Sequence, residues 1–247
     1  MFFSYFYNQI PNNKKMKKFT KALAAIMLMT AVTFAMGCKK DKADGDGTVN
    51  GHTYVDLGLP SGTLWATCNV GANSPEEYGS YFAWGETQPK ETYDWSTYQY
   101  CNGSYLTKYC YDASLGYNGF TDNLTVLQPS DDAATANWGD DWRMPTKAEW
   151  EELYNNTTVT WTTQNGVFGR LFTASNGNRL FLPAAGYCWV DDLYDVGSYG
   201  YYWSSSLMPD YPGGAWRFYV NSDYCDMDYY DRNYGLSVRA VRSTRQN

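Results

Sequence analysis

Near the end of the chain, Asn221–Tyr234 (NSDYCDMDYYDRNY) holds four Tyr and four Asp in fourteen residues. Asp191–Tyr199 (DDLYDVGSY) and Ser206–Gly214 (SLMPDYPGG) have a similar composition. A phenol brings a wide, stiff contact area with a polar tip. Ser, Gly, Asn and Asp bring adaptable hydrogen bonds, and this mixture is typical of recognition loops. The chemistry it implies is non-covalent binding. The expected contact set is Asp210, Tyr211, Asp223, Tyr224, Asp226, Asp228, Tyr229, Tyr230 and Asp231. Trp142, Trp150, Trp203 and Trp216 are expected to form the scaffold, since binding loops are carried on rigid frames.

Other reactive residues are sparser. The single His52 excludes a multi-His zinc site and argues against a Ser–His–Asp triad. The acid pairs Glu151/Glu152 and Asp191/Asp192 invite a glycosidase reading, but adjacent residues point apart. Gln128-Pro129-Ser130-Asp131-Asp132 and Trp138-Gly139-Asp140-Asp141 offer oxygen atoms to Ca²⁺, against the plainer role of solvated loop and cap acids. No cofactor, metal or catalytic residue is expected. Six Cys become five once Cys38 is set aside. Cys101 with Cys110 and Cys188 with Cys225 are conceivable bridges, and five reduced thiols are the alternative; spacing does not decide.

Charge narrows the partners. The 247 residues carry 19 basic and 26 acidic side chains, net −7. Five lysines lie before Cys38 with no acid, so residues 38–247 have 14 basic against 26 acidic, net −12. Phosphate contact needs Lys and Arg, so no nucleic-acid partner is expected. Aromatics make up 18% of the chain, far too many for a disordered polypeptide.

The N-terminal stretch reads as an address. Lys17, Lys18 and Lys21 precede an apolar run, Leu23–Met36, of signal-peptide length. Met16 is the better start, so residues 1–37 are expected to be a signal peptide with a mis-assigned initiation codon. Ala35-Met36-Gly37-Cys38 resembles a bacterial lipobox, with Ala35 departing from the usual Leu. That resemblance implies lipidation of Cys38 and a membrane partner through the anchor alone. Residues 38–50, containing KKDKADGDG, read as the tether. The expected location is the cell envelope, as a surface-exposed outer-membrane lipoprotein.

Residues 51–247 must then position the contact set, as one domain without a composition break. One segment is clearly helical: Pro145–Tyr154 has Thr146 as N-cap and Glu149 three residues later, a capping box. A second helix is expected at Asp131–Asn137. Strands are expected at Gly62–Asn69, Arg179–Leu182, Tyr201–Ser204, Ala215–Val220 and Leu236–Arg242. Alternation puts Trp216, Phe218 and Val220 on one face. The fold class is α+β, with short antiparallel sheets, one or two helices and long structured loops.

Five segments together carry a family likeness: Tyr54–Ala72 (YVDLGLPSGTLWATCNVGA), Tyr81–Thr87 (YFAWGET), Trp142–Leu153 (WRMPTKAEWEEL), Leu180–Tyr187 (LFLPAAGY) and the tail from Tyr201 to Arg242. Residues 51–247 resemble the Fibrobacter succinogenes major paralogous domain. The resemblance implies a C-type lectin-like fold, close to the formylglycine-generating and sulfatase-modifying group. That group's oxidase holds copper through two Cys; here only Cys225 lies in the matching stretch. One thiolate is a poor Cu(I) site. The Tyr/Asp-rich stretch before the final strand also resembles the variable region of retroelement-diversified proteins, although Met227 does not fit a mutated Asn codon. A family habit of Asn- and Tyr-rich turns accounts for the same composition. The expectation is a binding module for a protein or glycan rather than an enzyme. The alternative is a sulfatase-modifying enzyme or carbohydrate hydrolase on the same fold.

Overall fold

The protein is described by a computed structural model over residues 47–243. The expected signal segment, Cys38 and most of the expected tether lie outside the described residues; the last part of that tether, Gly47–Val49, is not a free linker but a strand paired with residues 52–54. Short antiparallel ladders dominate. The first sheet joins β1 (Gly47–Val49), β2 (His52–Val55), β3 (Thr63–Asn69) and the last strand, β16 (Arg239–Ser243), in that order. The central sheet contains β4 (Tyr81–Phe82), β12 (Gly200–Leu207), β13 (Gly214–Val220), β14 (Cys225–Asp231) and β15 (Leu236–Ser237). Its order is β14-β13-β12-β15-β4, and β12–β15 is parallel at Tyr202 and Ser237. A third sheet stacks β7 (Thr157–Gln164), β8 (Val167–Ala174) and β9 (Arg179–Pro183). Two ribbons, β5–β6 (Cys101–Asn102 with Tyr105–Leu106) and β10–β11 (Tyr187–Trp189 with Asp192–Tyr194), complete the strands.

Among the described residues there are two α-helices: α2 (Lys147–Asn155) starts where its capping box predicts, and α1 (Ala133–Trp138) starts two residues after and ends one residue after the expected 131–137. Asp132 caps α1, accepting from the N–H groups of Ala134 and Thr135 at 2.9 and 3.0 Å. The capping box of α2 is complete. Glu149 N–H donates to Thr146 Oγ1 at 3.3 Å, and Thr146 N–H donates to Glu149 Oε2 at 2.8 Å. Glu149 also takes both guanidinium arms of Arg143, one at 2.7 Å, and a hydrogen bond from Thr63 on β3 at 3.1 Å. One carboxylate therefore fixes the helix start to the first sheet.

The central sheet separates two apolar cores. On one side Phe218, Val220 and Tyr202 pack with Trp150 and Leu153 of α2, Trp65 of β3, and Phe172 and Leu180. Trp150 stacks on Phe218, ring centroids 4.9 Å apart. On the other side Trp203, Ala215 and Tyr201 pack with Trp84, Tyr109, Trp142 and α1. Indole N–H groups tie the layers through backbone carbonyls, as Trp84 to Ser204 and Trp203 to Phe82, both at 2.8 Å. Buried indoles need such partners.

Arginines pin the frame from within. Arg239 is wholly buried and donates to Asn69 Oδ1 (2.9 Å), Ala66 O (3.1 Å) and Thr67 O (2.7 Å), fastening β16 to β3. Arg232, equally buried, lies over the rings of Trp84 and Tyr98 and donates to the carbonyls of Lys108 and Tyr109.

The structure departs from the sequence reading in several places. The stretch expected to be a loop before the final strand is mostly β14, paired residue for residue with β13 from Gly214↔Asp231 to Val220↔Cys225. Main-chain pairing outweighs the low strand propensity of its three aspartates. β14 ends the sheet, and its backbone N–H groups at Met227 and Tyr229 are taken at 2.8 Å by the preceding carboxylates, Asp226 and Asp228. The hairpin β7–β8 was not anticipated. Its turn, Asn165-Gly166, has both φ values positive (49° and 83°), as a two-residue hairpin loop requires. The final strand breaks at Val238 into β15 and β16, which join different sheets. Trp216 is only half-buried, under the Lys147 ammonium at 4.4 Å, whereas Trp142, Trp150 and Trp203 are fully enclosed. Its partner across the ladder is Tyr229, past the edge of the apolar core. The described cysteines are all free. Cys188 packs toward the Trp203 side of the sheet and Cys225 toward the Phe218 side, so the sheet itself prevents a bridge.

Replacing Glu149 with Ala removes the capping box, the Arg143 pair and the tie to Thr63. A cap contributes about 1 kcal/mol and a charged hydrogen bond about 1.5–3, so a loss of about 2–4 kcal/mol is expected. A fall in the urea midpoint at constant m measures it. Burial works to raise the Glu149 pKa, but the Arg143 hydrogen bonds win and hold it below the ordinary carboxylate value. Its stabilising contribution is therefore complete above the unfolded-state pKa and disappears as pH falls through the lower folded-state value. Glu149→Gln should flatten that acid limb.

Candidate functional site

The side of the central sheet facing the Trp203 core emerges from that core as a band of tyrosines. Alternation along the ladder decides which residues reach it. Tyr201 of β12, Arg217 and Tyr219 of β13, and Asp226, Asp228 and Tyr230 of β14 share this face. Arg217 sits among three rings, its guanidinium carbon 4.5 Å from the Tyr201 centroid, 5.1 Å from Tyr219 and 4.5 Å from Tyr230. Only 7% of Arg217 is exposed. Asp228 approaches its Nη2 at 3.4 Å, while Nε and Nη1 have no hydrogen-bond partner. Ring faces, rather than oxygens, supply most of what surrounds the charge.

Further rings extend the band. Tyr199 stacks on Tyr201, parallel within 2°. Tyr187 of β10 meets both Tyr201 and Tyr230 edge-on, at 5.3 and 5.7 Å. Tyr234 contacts Tyr230 at 4.3 Å and lies parallel to Trp189 within 19°. Tyr224 meets Tyr219 edge-on at 5.6 Å and is itself 52% exposed. Burial raises the Tyr230 and Tyr234 phenols from 10 to about 12. They are neutral hydroxyl groups, able to donate and accept hydrogen bonds.

The expected contact set does not form one patch. Asp223, Tyr224, Asp226, Asp228 and Tyr230 follow the tyrosine band. Tyr229 lies on the opposite face, where Trp216, Phe218 and Met227 stand. Tyr211 meets its ring edge-on and donates to Asp231 Oδ1 at 3.1 Å. Asp210 is exposed in the turn after β12. Asp223, Tyr224, Asp226 and Tyr229 are exposed; Tyr211, Asp228, Tyr230 and Asp231 are half-buried. Tyr230 and Tyr211 are therefore supports rather than free contacts. Arg217 and Tyr201 were missed as site residues. An Arg flanked by Phe218 and Trp216 on a strand must face away from that core, which was the available signal.

The remaining chemistry-bearing residues have internal work. Asp131 pairs with Lys108 at 2.6 Å and accepts from Tyr109, and the Asp132 carboxylate also accepts from Met144 N–H at 2.8 Å. Asp132 is a cap acid, whereas Asp131 is a buried ion-pair acid, neither cap nor solvated. Glu152 accepts from Ser61 N–H at 2.9 Å, and Glu151 pairs with Lys147. His52 stacks on Trp138 at 3.8 Å. Burial pushes the Cys225 thiol up to about 11 and Cys188 up to about 12, away from the reactive thiolate. Among the described residues no group of three or more His, Cys, Asp or Glu is placed to hold a metal ion.

Residues 172–241, from within β8 to within β16, fit a family model described as a domain of unknown function (DUF8237). The matched stretch contains Arg217, the tyrosine band and all of β14. No curated protein and no solved structure matches the chain.

Arg217→Met keeps the volume and removes the charge from its ring cage. With about 0.5–1 kcal/mol for each of the three cation–ring contacts, a loss of about 1.5–3 kcal/mol is expected in thermal unfolding. The buried phenols set an alkaline limit. Their folded pKa lies above the unfolded value of 10, so their contribution is intact below pH 10 and is lost as pH rises through about 12. Absorbance at 295 nm should show late-titrating phenols that merge with the rest on unfolding.

Proposed function

We propose that this chain is a ligand-binding module of the Fibrobacter succinogenes major paralogous type, on a C-type lectin-like frame, displayed on a bacterial cell surface through a lipid on Cys38. Its ligand is a protein or a glycan. One observation carries the reading. Asp223, Tyr224 and Asp226 stand exposed at the rim of a tyrosine band whose base, Arg217 with Tyr201 and Tyr230, is packed and largely closed to water. Exposed phenols and carboxylates on a rigid base make contacts with little ordering cost.

The two faces of β14 divide the work. Tyr224 and Asp226 make contacts, with Asp223 at the adjoining turn. Tyr230 and Asp228 hold Arg217 in place. Tyr229 and Asp231 stand on the opposite face with Tyr211 as their support, and Asp210 is exposed in a separate turn. Retroelement diversification belongs to the same proposal, since the outward side chains of β14 can change while its backbone register stays. A nearby template repeat differing only at adenines supports that part, and its absence beside the gene removes it.

An array of glycans and extracellular proteins, probed with the purified protein, identifies the ligand class. The double variant Tyr224→Ala/Asp226→Ala should lose at least tenfold in affinity at unchanged Tm. Tyr230→Ala should lower the Tm, at roughly 2–4 °C per kcal/mol for a domain of this size. Loss of folding in the double variant would falsify the division between contact and support. Intact-mass analysis of the mature protein should show an acylated Cys38; an unmodified thiol there ends the anchor part.

A further inference from the structure

A cleft of about 260 Å³ opens where the β7–β8 hairpin meets the tyrosine band. Trp161 and Phe168 of the hairpin form one wall, parallel within 8° and 6.1 Å apart. Ser198 and Tyr199 form the second, and Ser222 and Asp223 the third. Phe168 leaves 49% of its surface to solvent. Nothing in the domain core needs an exposed phenyl at that place.

The walls are held from behind. Arg170, 7% exposed, has its guanidinium 5.8 Å from the Trp161 ring centroid and donates from Nε to the Asn221 carbonyl at 2.7 Å. Asn221, itself buried, accepts the N–H groups of Asp223 and Tyr224 on its Oδ1 at 2.7 and 3.0 Å. Hairpin wall and acidic wall are thus one rigid assembly, and Arg170 is a positioning residue within it.

We propose that this cleft binds a single pyranose ring of a neutral glycan. The proposal rests on the ligand-binding reading and names its ligand class and one subsite. A pyranose has an apolar C–H face and a rim of hydroxyl groups. Phe168 and Trp161 present aromatic surface to the first. The Asp223 carboxylate and the Ser198, Ser222 and Tyr199 hydroxyls match the second, and a carboxylate accepts strongly from sugar hydroxyls. The volume falls below the roughly 300–1,000 Å³ of pockets that enclose drug-sized ligands, so it suits one ring of a longer chain. The Asp223 carboxylate within the cleft disfavours acidic sugars. The Arg170 charge is buried behind the wall rather than offered to an anion.

The test is titration of the purified protein with neutral gluco-, manno-, galacto- and N-acetylglucosamine-configured oligosaccharides and with oligouronates, followed by tryptophan fluorescence and calorimetry. At least one neutral chain should saturate. Phe168→Ala and Asp223→Ala, both at exposed positions, should each weaken it tenfold or more, whereas Tyr105→Ala on the β5–β6 ribbon should not change it. Saturation that ignores both cleft variants, or that favours oligouronates, overturns the proposal. A protein ligand that depends on Tyr224 and Asp226, with no saccharide response, overturns the glycan and leaves the binding module standing. Failure of every saccharide and every arrayed protein to bind removes both.

Discussion

The constraint on which this structure turns is the burial of guanidinium groups with almost no carboxylate to meet them. An arginine stays charged in a protein, so a buried one must find other partners or destabilise the fold. Arg239 finds an amide and two carbonyls, Arg232 two carbonyls and two ring faces, and Arg217 three ring faces with Asp228 at its margin. Each solution joins segments far apart in the chain. Arg239 ties the last strand to β3, and Arg232 ties the end of β14 to the loop around Tyr109. The tryptophan layers pack around joints that are already fixed.

Aromatic abundance follows from the same constraint. A ring face is an acceptor that costs little to bury, whereas an extra carboxylate carries its own desolvation penalty. Tyrosine also brings a hydroxyl that reaches a carbonyl or solvent. The band around Arg217 is thus frame and surface at once. Its inner members stabilise a charge through their ring faces, and its outer members meet water. The cleft beside it repeats the pattern, with Arg170 behind Trp161.

Local signals were legible. The Thr146–Glu149 box and the alternation in Trp216–Val220 specify their elements because both depend on neighbours within a few residues. The α+β class followed from them. Asp-rich β14 was not legible as a strand, since its pairing comes from β13 and not from its own propensity. Nor was the split of the contact set between two faces, which follows only once a loop is replaced by a ladder with a two-residue repeat. The Arg217 cage draws on positions 201, 219 and 230, and no local pattern joins them. The Asn165-Gly166 turn, and with it the hairpin bearing Trp161 and Phe168, is absent from the sequence reading although an Asn-Gly pair is a hairpin signal. The cap role of Asp132 follows from the rule that acids near a helix start usually cap it, whereas the buried pair of Asp131 with Lys108 joins positions far apart in the chain and leaves no local signal.

The outer margin of β14 has one more consequence. A strand with a bare side invites a like strand from the next molecule. Here the aspartates at 226 and 228 fold back onto the amides that follow them, so the invitation is withdrawn by the strand's own side chains. Neighbouring copies of the chain can then stay separate without giving up the margin to a covering helix. That protection of the edge comes from two side chains, of which Asp228 also pairs with Arg217 on the sheet, so their freedom to vary is narrower than their place on an outer strand suggests.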